Sequence, residues 1–130
     1  MLSKENRLRR SADFATTVRQ GAKASSGRVV VYAKKQEYYA PNNPPRIGLI
    51  VSKAVGNSVV RHQLSRRLRH TSRRLLAGIP GGVDVVIRAL PGCELVNSAM
   101  LEKWIEHCLI EVNASGFERR KKRRSTKNEH

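Results

Sequence analysis

The stretch Arg46 to Arg88, RIGLIVSKAVGNSVVRHQLSRRLRHTSRRLLAGIPGGVDVVIR, reads as strand, helix, strand. Arg46 to Ser52 is the first strand. Gly56 and Asn57 break the chain before a long helix, about Ser58 to Ala77, which Gly78, Pro80, Gly81 and Gly82 end. Val83 to Arg88 is apolar enough to be a central strand. The whole stretch has the length of one β-α-β unit, and base rates alone give its crossover a right hand.

Upstream, Met1 to Arg10 is basic and extended. Ser11 suits a helix N-cap, Asp13 favours the positive end of the dipole, Phe14 and Val18 lie four apart, and Gly21 follows as a stop. A short helix over Ala12 to Gln20 is expected. Arg28 to Lys34 is rich in β-branched residues and reads as a strand. Val29, Val31 and Ala33 share one of its faces; Val30 and Tyr32 share the other. Gln36 to Pro45 is a turn region, with Pro41, Asn42, Asn43, Pro44 and Pro45.

Downstream, Pro91 and Gly92 turn the chain. Asn97 or Ser98 caps a last helix, about Ala99 to Asn113, whose buried stripe is Leu101, Trp104, Ile105, Cys108 and Val112. Gly116 closes it. Glu118 to His130 has no apolar residue and six consecutive bases, Arg119 to Arg124, so it is expected to be a basic disordered tail. Residues 1–117 then form one α+β domain, a single small sheet covered by helices in the order α-β-β-α-β-α, of the split β-α-β kind.

The chain has 130 residues, with 26 Lys and Arg against 10 Asp and Glu, a net charge of +16. That length supports one core. The longest stretch free of charge, Leu75 to Val83, is nine residues, and a membrane-spanning helix needs about twenty. No apolar run follows the basic start as a secretory signal requires. Two cysteines, Cys93 and Cys108, are too few for a disulfide framework, so a reducing cytoplasm is the expected compartment.

A charge of +16 disfavours the compact state through self-repulsion. A polyanion relieves it, nucleic acid before an anionic membrane. From Tyr38 to Val83 there is no acidic residue, yet Arg46, Lys53, Arg61, Arg66, Arg67, Arg69, Arg73 and Arg74 fall there. Removing Glu118 to His130, with seven bases and two acids, lowers the charge only to +11, so the tail does not create the basic character.

On the helix beginning near Ser58, Val60, Leu64, Leu68, Thr71 and Leu75 fall within one arc of about 80°. His62, Arg66, Arg69 and Arg73 lie opposite, within about 60°. Like charges at this spacing cost helix stability, which makes sense if phosphates supply the countercharge. Arginine suits that task because its planar fork grips phosphate at two points. A surface helix with snorkelling arginines is the plainer reading, but no acid on the helix pairs with them. A membrane-surface helix would need a broader apolar face. The turn Lys53 to Asn57 leads into the helix N-terminus, where free amides favour an anion; it lacks P-loop spacing.

The run Val51 to His70, VSKAVGNSVVRHQLSRRLRH, resembles the signature region of the bacterial ribonuclease P protein component. The family's turn matches at Ser52, Lys53, Gly56 and Asn57, and its basic helix at Arg61, Arg66, Arg67 and Arg69. His62 and Gln63 stand where the family usually has Asn and Arg, and Ser65 where Lys is frequent. Asn6, Arg7, Leu8, Arg9, Ser11, Asp13 and Phe14 resemble its opening. The likeness spans about Asn6 to Val112.

The resemblance implies an accessory protein subunit with no catalytic residue of its own. The RNA subunit cleaves the 5′ leader from precursor tRNA using Mg²⁺, with no metal bound by the protein, while a monomeric protein grips RNA and substrate without contacting membrane. RNA contacts are then expected at Lys53, Asn57, Arg61, His62, Arg66, Arg67, Arg69 and Arg73, and a leader cleft at Arg7, Arg9, Phe14 and Tyr32. Aromatic platforms in a basic groove suit single-stranded RNA. The family's crossover is left-handed, and the resemblance overrides the base rate here.

Catalysis by the protein itself finds no support in the residues. His62, His70, His107 and His130 lack partners at catalytic spacing, and Cys93 and Cys108 form no metal set. The rival readings are a different RNA-binding module, such as a ribosomal protein, and a DNA-binding protein, which would want a second helix set for the major groove.

Overall fold

A computed structural model describes residues 2–38 and 40–118; the basic run of the expected tail lies outside them. The helices are α1 (Ser11–Gln20), α2 (Ser58–Leu75) and α3 (Ser98–Ala114), and the strands are β1 (Ala22–Ser26), β2 (Val29–Lys35), β3 (Arg46–Val51) and β4 (Val83–Ala89). One mixed sheet has the order β1-β2-β4-β3, with β3 and β4 parallel and the other pairs antiparallel. The molecule is thus α+β, as the sequence implies, with one strand more than expected.

That strand is β1, whose sequence AKASS has little strand propensity. It forms because the chain turns back tightly. Ser26 pairs with Val29 across Gly27, which takes φ +55°. Gly27 also lies under Trp104 of α3; a Cβ there would stand 2.0 Å from the indole Cε2. The hairpin is made by this turn and by α3 covering it.

Strand alternation gives the sheet two different faces. Val29, Val31 and Ala33 of β2, Val83, Val85 and Ile87 of β4, and Ile47 of β3 join Leu64 and Leu68 of α2 and Leu101, Ile105, Cys108 and Val112 of α3 in the main core. The opposite face carries a small cluster of Leu8, Val30, Tyr32 and Val86, against which Phe14 and Val18 of α1 pack. Trp104 is only half-buried on the α3 stripe.

Helix ends follow local hydrogen bonding. Asn57 caps α2 by accepting from the Val60 amide at 2.9 Å, and Asn97 caps α3 from Met100 at 2.8 Å. Ser11 is not the cap of α1. The Arg10 carbonyl already accepts from the Asp13 and Phe14 amides, so the helix begins one residue earlier than expected, with no side-chain cap. The opening segment is not wholly extended. Lys4–Asn6 forms a 3-10 turn, Leu2 and Leu8 are buried, and the Leu8 amide bonds the Ile47 carbonyl at 3.0 Å beside β3.

Candidate nucleic-acid interface

The pairing of the opening segment with β3 carries Arg7 and Arg9, both exposed, to the edge of the sheet next to α2. There a groove of about 520 Å³ is lined by Arg7, Arg9, Phe14, Gly48, Ser65 and Arg69, among others. A second hollow of about 250 Å³ is lined by Ser58, Arg61, His62, Ser65 and Arg69. Ser65 and Arg69 belong to both, so the two run together along one side of α2. The small hydroxyl side chain at 65 leaves the path open where a lysine would project.

The side chains of the basic row of α2 have no partner among the described residues. Among the described residues, no hydrogen bond or ion pair engages the side chain of Arg66, Arg69 or Arg73, and His62, Arg66 and Arg73 are exposed. Arg61 is half-buried, and its Nε is buried with no hydrogen-bond partner among the described residues. A buried donor left unpaired costs free energy, and an acceptor arriving in the adjoining hollow would relieve it. Lys53 and Asn57 are exposed at the α2 N-terminus, Lys53 in the 3-10 turn Lys53–Val55. The Asn57 side-chain oxygen Oδ1 is engaged in the cap.

Arg67 departs from its expected role. Its guanidinium turns to the other flank of α2 and donates to the backbone carbonyls of Glu94 and Val96. It closes the loop before α3 rather than standing in the row. Arg74, on the same flank, reaches Glu102 of α3 at 3.4 Å. A helical wheel fixes the direction of a side chain, not the element that meets it there.

The two expected cleft aromatics share a sheet face but not an environment. Phe14 is half-buried and lines the groove. Tyr32 is 5% exposed, enclosed in the small cluster, and is not among the groove-lining residues.

A buried ion pair that residue spacing does not disclose lies on this face. Asp84 is 5% exposed and takes two hydrogen bonds of 2.8 Å from Arg46, with Gln36 Nε2 donating at 3.2 Å. Asp13 of α1 stands 3.6 Å from the same guanidinium. The Asp84 hydrogen bond, reinforced by charge, raises the Arg46 pKa against the opposing effect of burial. A lone acid at the start of a mostly apolar strand is the available signal, since such a group must find a partner.

Cys93 and Cys108 are wholly buried, and burial pushes each thiol up to about 11. The thiols therefore remain neutral at physiological pH and pack as small apolar groups. No helix among the described residues is long and apolar enough to cross a membrane.

Comparison with known proteins gives a consistent result. A family model described as Ribonuclease P matches residues 2–113. The chain is 46% identical over 103 residues to a ribonuclease P protein component of Mycobacterium ulcerans (strain Agy99), covering 79% of this chain and 86% of that one. It is 43% identical over 116 residues to the one from Rhodococcus opacus (strain B4), covering 87% and 93%. The fold is similar to the solved RNase P protein of Staphylococcus aureus, with a TM-score of 0.71 at 24% identity over 83% of this chain and 95% of that one. Against the Thermotoga maritima RNase P protein the TM-score is 0.67, over 78% and 94%.

Proposed function

Because this chain belongs to the family of ribonuclease P protein components, we propose that it binds the ribonuclease P RNA along one side of α2 and the 5′ leader of precursor tRNA in the adjoining groove. It is a protein subunit of ribonuclease P, a ribonucleoprotein of tRNA processing. The observation that carries the reading is the run of bases on α2, His62, Arg66, Arg69 and Arg73, with no carboxylate partner among the described residues.

Arg61, Arg66, Arg69 and Arg73, with Lys53, Asn57 and His62, meet phosphates of the RNA subunit; the orphaned Nε of Arg61 supports this. Arg7, Arg9 and Phe14 line the leader groove, while Tyr32 does not line it and supports Phe14 from within the small cluster. Arg67 is left out, since its guanidinium is turned to the Glu94 and Val96 carbonyls on the other flank of α2. Bond cleavage belongs to the RNA subunit in this reading, and Mg²⁺ enters with that RNA; the protein's part is to hold phosphates and stack on bases. The complex acts in the cytoplasm with a single copy of the protein.

Reconstitution tests the reading. Protein added to a bacterial ribonuclease P RNA at low Mg²⁺ is expected to speed leader removal from precursor tRNA. A rate equal to that of the RNA alone would reject it.

A further inference from the structure

We propose that Gly48 is a positioning residue for leader recognition: the absence of a side chain on β3 seats the Phe14 ring and holds it in the wall of the groove. The proposal rests on the reading that Phe14 faces the leader.

Gly48 pairs with Val86, which pairs with Tyr32, so all three lie on the sheet face beneath α1. A Cβ at position 48 would stand 2.3 Å from Cζ of Phe14 and 2.5 Å from Cε1. The ring thus reaches the strand backbone with its distal edge. A ring standing this way turns its faces along the sheet, so that a base entering the groove can stack against one of them.

The backbone does not explain this glycine. Its φ lies outside the left-handed region, and glycine weakens a strand interior. What requires it is the ring above. α1 is also tethered to the sheet at both ends. At one end Asp13, next to Phe14, is held near Arg46, which is locked onto buried Asp84. At the other end Gly21, the C-cap of α1, lies against β2: a Cβ there would stand 2.7 Å from the Ala33 carbonyl oxygen. With both ends tied, a methyl group at 48 must displace the ring itself, because packed interiors do not absorb such volume.

The test compares Gly48→Ala, Phe14→Leu and the double variant in the reconstituted holoenzyme, measuring affinity for leader-bearing precursor tRNA and for mature tRNA. Gly48→Ala is expected to reduce the preference for the leader-bearing form about tenfold, the scale of one lost base stack. Affinity for mature tRNA is expected to stay unchanged. The double variant is expected to lose no more than Phe14→Leu alone, since a residue acting through the ring has nothing to add once the ring is gone. In the free protein, the Phe14 ring proton resonances are expected to move in Gly48→Ala while methyl resonances of Val85 and Ile87, on the other face, hold still.

Full leader preference in Gly48→Ala alongside its loss in Phe14→Leu overturns the inference and leaves the leader reading standing. Losses that multiply in the double variant also overturn it. Full preference in Phe14→Leu removes the leader reading and the inference together. If Gly48→Ala alone does not fold, the double variant is expected to fold because the clash is gone; a double variant that stays unfolded overturns the inference.

Discussion

Arg46 closes on Asp84 through two parallel hydrogen bonds of 2.8 Å, joining the starts of two parallel strands in register. The pair neutralises one charge of the basic middle of the chain and brings Asp13 of α1 within 3.6 Å of the same guanidinium. Asp84→Ala would strand a cation that is about one-third exposed. A loss of about 2–4 kcal/mol of stability is expected, below the full cost of a wholly buried pair because solvent screens Arg46 in part. Urea unfolding of the purified protein checks this; a change under about 0.5 kcal/mol would be that of an ordinary surface site.

Arg66 and Arg69 differ from Arg67 in what they face. Replacing Arg66 and Arg69 together with Ala is expected to weaken RNA-subunit binding and to lower the slope of log affinity against log salt by roughly 1.5–2, for two lost phosphate contacts. Arg67→Ala is expected to leave that slope alone and to lower the melting temperature, because the carbonyls of Glu94 and Val96 lose their donor. Binding titrations over a range of salt separate the two; a slope unchanged by the double substitution would remove the row from the interface.

Phe14→Ala is expected to cost about 1–3 kcal/mol of affinity for leader-bearing substrate, the range for one base stack. Equal losses for precursor and mature tRNA would return the ring to a purely packing role.

Burial holds the Cys93 and Cys108 thiols at about 11, above their ordinary value of 9.0. The folded state binds these protons more tightly than the unfolded one, so their contribution to stability is complete below pH 9 and falls as pH rises towards 11. The expected outcome is slow labelling by a thiol reagent in the native protein at pH 8 and rapid labelling after unfolding. Fast native labelling of either cysteine would contradict its burial.

Local periodicity alone determined the three helices, three of the four strands and the row of bases on α2. Each of these is written in residues a few positions apart, where apolar spacing and charge spacing can be read directly. Likewise, the two faces of β2 followed from strict alternation, and the turn at Gly56 and Asn57 from breaker residues.

Tertiary structure alone decided β1, whose alanines and serines carry no strand signal and are held by the turn at Gly27 and the cover of Trp104. It also decided which cations remain free. Arg46 is satisfied by an acid 38 residues away, and Arg67 by carbonyls 27 and 29 residues away. The same holds for Tyr32, closed over by neighbours, and for Gly48 of β3, whose meaning lies in a ring contributed by α1. The physical reason is common to all four. Periodicity gives the direction in which a side chain leaves its own element, while its burial and pairing depend on what the rest of the chain places opposite.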